Sequence, residues 1–135
     1  MKKRHYFFLN HYEDQAFTRC PKCDNKTKLR KFPLVIHIEP SQMFVLNKQC
    51  KYCPACDLII GDKSVIEHLM ASSFSQHKPE IIGNKYLVMG TLDKKDWREV
   101  NKKQMKPDAT LNRMHIFKDV LNFIVIPAQW VPNNK

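Results

Sequence analysis

The sequence predicts a small α+β domain, and three features carry that expectation. A five-residue element, Cys-Pro-x-Cys-Asp, occurs twice, at Cys20–Asp24 and again at Cys53–Asp57. Apolar residues alternate with polar ones between and after the two copies, the period of short strands. Two later stretches carry apolar or charged residues at helical spacing. With 135 residues the chain has room for one domain of ordinary size, expected to span 1–135. Within it, 18–61 reads as a metal-binding part and 62–135 as a helix-strand-helix part.

Taken in order, Met1-Lys2-Lys3-Arg4 followed by Tyr6-Phe7-Phe8-Leu9 imitates the start of a signal peptide. Asn10, His11, Glu13 and Asp14 end that apolar run too early, so a cytoplasmic protein is expected. No stretch approaches the roughly 18 apolar residues of a membrane span. Lys28 to Phe32 alternates and Pro33 punctuates it; Leu34, Ile36 and Ile38 then share one strand face, opposite Val35, His37 and Glu39. Pro40-Ser41-Gln42 supplies a turn, and Met43 to Lys48 forms the return strand. Leu58-Ile59-Ile60 is a buried strand ended by Gly61. Ser64 and Glu67 have capping-box spacing ahead of Val65, Ile66, Leu69, Met70 and Phe74, a helix that His77, Lys78 and Pro79 close. Tyr86, Val88 and Gly90 alternate with Leu87, Met89 and Thr91 in a further strand. Asp93 and Asp96 ahead of Lys102, Lys103 and Lys106 suit the dipole of a surface helix. From Asp108 onward, Ile116, Phe117, Val120, Leu121 and Ile124 fall on a helical stripe, whose end, Asn122 to Ile126, reads equally well as a strand.

The cysteines carry the chemistry. In a cytosolic chain, closely spaced cysteines point to a metal rather than to disulfides. Two residues between thiols let the chain turn so that both sulfurs face one ion. The proline fixes φ at the turn entry, and Asp after the second Cys tolerates a left-handed backbone. Cys20, Cys23, Cys53 and Cys56 together make the closed tetrahedral set of a structural zinc site, one ion per chain. Cys50-Lys51-Tyr52-Cys53 is also a Cys-x-x-Cys, so Cys50 is either an alternate ligand or a packing residue. The match between the two five-residue elements favours packing.

On these residues the chain resembles a zinc ribbon, whose two metal-binding knuckles are related to those of rubredoxin. The resemblance covers about residues 18–61 and implies a hairpin clamped by zinc, with iron as the alternative metal. The segment Gly83–Thr91 adds a similarity to an uncharacterised bacterial zinc-ribbon family, which implies no activity. Both knuckles depart from the common pattern by placing Asp24 and Asp57 where Gly is usual. The 29 residues between Cys23 and Cys53 also leave room for more than one hairpin.

Twenty-three Lys and Arg against thirteen Asp and Glu give a net charge of +10, which favours polyanionic partners. The excess is spread along the chain and forms no basic tail. Lys26, Lys28, Arg30 and Lys31 follow the first knuckle and can meet phosphates, with Lys26, Lys28 and Arg30 expected on one strand face; Tyr52 beside the second knuckle can stack on bases. Four thiolates leave no open position for catalytic zinc. Glu67 and His68, adjacent on a helix, diverge by about 100° and cannot work as a pair. No phosphate loop or nucleophile elbow appears, so no catalytic residue is expected. The expectation is a nucleic-acid-binding module, the alternative being a protein-interaction or assembly module in which zinc only holds the fold.

Overall fold

The computed structural model of the protein describes residues 3–12, 14–103, 112–126 and 129–132. Strands dominate. In chain order they are β1 (Tyr6–Asn10), β2 (Lys28–Ile38), β3 (Gln42–Cys53), β4 (Leu58–Asp62), β5 (Tyr86–Thr91), β6 (His115–Ile116), β7 (Asp119–Leu121), β8 (Phe123–Ile126) and β9 (Gln129–Pro132). Helix α1 (Lys63–Phe74) follows β4 directly, and α2 (Lys94–Lys103) follows β5. Seven strands form one mixed sheet in the order β6-β5-β2-β3-β4-β1-β7, and β8 pairs with β9 in a separate hairpin.

The sheet curls until its two ends meet on one stretch of chain. His115–Ile116 pairs with β5, while Asp119–Leu121, three residues on, runs parallel to β1. Backbone bonds from Arg4 N–H to Ile116 (2.8 Å), from Lys118 N–H to His5 (2.7 Å) and from Phe117 N–H to Met89 (3.2 Å) tie the seam. The edges of β5 and β1 that would otherwise be open are thus each covered by this one stretch.

Alternation divides the apolar residues between the two faces. Phe7, Phe32, Leu34, Ile36, Cys50, Ile59 and Val88 share the concave side, where Ile66 and Met70 of α1 cover one end. Phe117 stacks on Phe7 there, with ring centroids 4.7 Å apart. On the convex side Phe8, Leu58 and Ile60 pack with Phe17, Phe123, Cys20 and Cys53. A third group, Val35, Leu92 and Met114, lies against Trp97 of α2.

Several expectations change. The strands of the cysteine-rich half are not short: β2 runs 11 residues straight through Pro33, and β3 runs 12. The apolar run at Tyr6–Leu9 is a sheet strand, paired on both sides by parallel neighbours. Residues 116–124 are not helical, because the two ends of the curled sheet need backbone partners and this stretch supplies them. The capping box does not form either. Helix α1 starts at Lys63 behind Asp62, whose carboxylate accepts from Asn10 Nδ2 (2.9 Å) across the β1–β4 pair instead. Glu67 meanwhile accepts from Tyr86 Oη (2.8 Å) and pairs with Lys63. The surface helix begins as expected; Lys106 and Asp108 lie outside the described residues.

Gly90 marks the tightest point of the seam. A Cβ there would stand 2.1 Å from the carbonyl oxygen of His115 and 2.8 Å from Ile116 Cα, both backbone atoms. Gly90→Ala should therefore destabilise the fold by about 3 kcal/mol, the upper end of ordinary overpacking. Urea unfolding compared with the parent protein checks this.

Candidate metal centre

The first knuckle tips a small hairpin. Arg19 bridges Lys26, Thr27 N–H bonds Thr18 O (3.0 Å), and Cys20 N–H bonds Asn25 O (2.8 Å). Inside it, Asp24 N–H returns to Cys20 O (2.8 Å), and Lys22 N–H points at Cys20 Sγ (3.4 Å). The second knuckle is the turn of the β3–β4 hairpin, where Cys53 lies opposite Leu58. Asp24 and Asp57 have φ of 64° and 54°, so each fills the left-handed position that closes its turn. The departure from the usual Gly is accommodated at both places by the residue type that best tolerates that backbone after glycine and asparagine.

These two turns bring the sulfurs of Cys20, Cys23, Cys53 and Cys56 within 4.8 Å of one another. The sulfurs of Cys23 and Cys53 lie 3.5 Å apart. Metal–sulfur bonds of about 2.3 Å in a tetrahedron imply sulfur–sulfur separations of about 3.8 Å, so the cluster fits an ion with little adjustment. The arrangement is compatible with a zinc-ribbon-like site. Cys20 and Cys53 are buried among Phe8, Phe17 and Leu58, while Cys23 faces solvent. Cys50 stands apart: it is 3% exposed in the concave core, its sulfur near Lys48 O (3.5 Å). Burial pushes its thiol up to about 12, as suits a packing residue.

Protons and metal compete for this cluster. Burial pushes the Cys20 thiol up to about 11 and raises Cys56 further, whereas the Asn25 N–H, directed at Cys23, lowers that thiol to about 7. A metal must displace protons from the raised thiols, and lowering the pH favours their return. We expect chelator competition to show the affinity falling by orders of magnitude between about pH 7.5 and about pH 5. A carboxylate-held metal would change little over most of that range, since its ligands are already ionised.

Asp57 joins the metal turn to the rest of the barrel. Its Oδ1 accepts from Tyr52 Oη (2.6 Å) and from His5 Nδ1 (2.5 Å), and Lys118 Nζ lies 3.4 Å from Oδ2. Burial alone would raise the Asp57 carboxyl, but the bonds from Tyr52 and His5 outweigh it and hold the group below the usual range. His5 is 4% exposed, sits edge-on to Phe32 and Tyr52, and is lowered chiefly by burial, against the raising effect of Asp57. This cluster fills the end of the barrel beside the metal knuckles. In the sequence Asp57 reads only as a turn residue, and nothing in the local pattern marks His5, a lone histidine 52 positions from its partner.

The basic residues divide. Lys28, Leu29, Arg30 and Lys31 are all exposed, whereas Phe32 to Ile38 are buried apart from half-buried His37. From Leu34 onward β5 covers the second edge of β2, and Leu92 N–H bonds Pro33 O (3.0 Å); from Lys28 to Phe32 that edge has no strand partner among the described residues. Lys28 and Arg30 share the face of Tyr52 and Cys50, and Lys31 takes the other. Lys26 lies outside β2, in the bridge with Arg19, so it does not extend that face. The Tyr52 ring is half buried beneath Arg30, whose guanidinium carbon lies 5.3 Å from its centroid and 4.9 Å from that of Phe32.

No family model matches the chain, and no curated protein or solved structure matches it. Among the described residues, no helix is long and apolar enough to cross a membrane.

Proposed function

We propose that the protein is a zinc-stabilised nucleic-acid-binding module. Cys20, Cys23, Cys53 and Cys56 hold one zinc ion, and the projecting end of β2 carries the polymer. The observation behind this reading is the strand end itself. Lys28, Arg30 and Lys31 place cations on both faces of an edge that is unpaired among the described residues, and Leu29, 60% exposed, offers apolar surface among them. A sugar–phosphate chain with unstacked bases presents the matching combination of negative charge and apolar faces. Lysines also guard free strand edges against pairing. That role alone does not call for Arg30, an exposed residue whose guanidinium lies over two rings and offers a planar fork of donors suited to phosphate. Tyr52 enters through Arg30, as the ring that supports it, and Lys26 as a flanking charge.

Titration with single- and double-stranded DNA and RNA at low salt tests the reading. Replacing Lys28 and Arg30 by Gln should weaken binding for all sequences alike and flatten the salt dependence by roughly one unit of slope per contact. Absence of binding to any of them below about 100 μM, weaker than ordinary non-specific association, would overturn it.

A further inference from the structure

Beside the open edge of β2 lies a cleft of about 250 Å³ whose charges are unbalanced. Arg4 reaches it from the start of the chain, Arg30 and Lys31 from β2, and Lys94 from the first turn of α2. The only carboxylate on its wall is Asp93, which pairs with Arg4 at 3.0 Å and faces His115 Nε2 at 3.5 Å. Four cations against one carboxylate leave a formal charge of +3. Among the described residues, Arg30, Lys31 and Lys94 have no ion-pair partner. Three segments distant in sequence therefore converge like charges on one concavity, an arrangement that an anion relieves.

We propose that this cleft is a phosphate-binding site that takes a phosphate monoester. Three features select that chemistry. A monoester carries roughly −1.5 to −2 near neutral pH, so it offsets the excess better than the single negative charge of an internal phosphodiester. Arg30 brings a guanidinium fork suited to two phosphate oxygens, Arg4 adds the donors that its pairing with Asp93 leaves over, and Lys31 and Lys94 add point charges. Arg30 is already oriented by Phe32 and Tyr52, which reduces the ordering cost of binding. The volume admits a phosphoryl group with a small part of what it is attached to. The group can come from the end of a nucleic-acid strand, in which case the inference rests on the reading above, or from a free phosphorylated small molecule.

The test compares, on the metal-loaded protein, inorganic phosphate, a mononucleotide, and one short single strand ending in hydroxyl, 5′-phosphate or 3′-phosphate. A strand end in the cleft should make one phosphorylated form at least about tenfold tighter than the hydroxyl form, a difference of about 1.4 kcal/mol. Lys94→Gln should bring that ratio close to one while leaving hydroxyl-strand affinity nearly unchanged. Lys94→Ala, at the same exposed helix position, repeats the test should the first variant fold poorly. Binding of phosphate and the mononucleotide, lost in Lys94→Gln, with no binding of any strand would uphold the cleft and overturn the nucleic-acid reading. Equal affinity for all three strands, with phosphate and mononucleotide displacing none, would overturn the cleft and leave that reading standing. No binding by any probe overturns both.

Discussion

Cys23→Ser should release the metal and loosen the segment from Cys20 to Asp57, whereas Cys50→Ser should retain one full equivalent. Cys23 is the informative choice because it is exposed, so its replacement removes no core packing. Cys20 and Cys53 are buried, and substituting either would mix metal loss with a damaged core. Structural zinc contributes on the order of 10 kcal/mol of binding free energy, comparable to the whole stability of a small domain. Losing one of four thiolates should cut the affinity by at least about a hundredfold and lower the unfolding midpoint sharply. Cys50→Ser buries a hydroxyl in the apolar core instead, costing about 1–2 kcal/mol, with Lys48 O nearby as an acceptor. Metal titration and thermal unfolding of the two variants side by side separate the effects. Equal loss of metal from both would mean that Cys50 is a ligand.

Asp57→Ala should destabilise the protein by about 4 kcal/mol. Removing the carboxylate strands the Tyr52 hydroxyl and the His5 N–H, each a loss of about 1–3 kcal/mol where water cannot fully replace the acceptor. It also places alanine at φ 54°, which costs about 1 kcal/mol more. Asp57→Gly removes the same acceptor but relaxes the backbone, so it should recover about 1 kcal/mol of the loss. Denaturant unfolding of both, with metal saturating, measures the two contributions. If glycine and alanine prove equally damaging, the backbone at this position is not under strain. If neither matters, the Asp57 cluster does not hold the barrel end.

Local chemistry made the metal cluster legible. The repeated five-residue turn encodes its own geometry, down to the left-handed Asp24 and Asp57, and so identifies Cys20, Cys23, Cys53 and Cys56 without knowledge of the fold. Two strands are legible from local pattern as well: β4 as a short continuous apolar run and β5 from its alternation. Closure of the sheet is not. Residues 115–121 carry a helical stripe, and only the presence of two open edges, contributed by β5 and β1, makes that stretch extended. The capping box at Ser64 was likewise overridden from a distance, because pairing of β1 with β4 engages Asp62 with Asn10. The cationic cleft belongs to the same class: Arg4 and Lys94 carry no signal of a shared site where they stand in the sequence, and only the curled sheet brings them to Arg30.

The most direct test of the metal centre is X-ray absorption at the metal edge of the purified protein, together with its elemental content. One zinc per chain with four sulfur neighbours at about 2.3 Å, unchanged in Cys50→Ser, is the expected result. Nitrogen or oxygen in place of two sulfurs, or a neighbour set that changes when Cys50 is replaced, would contradict it.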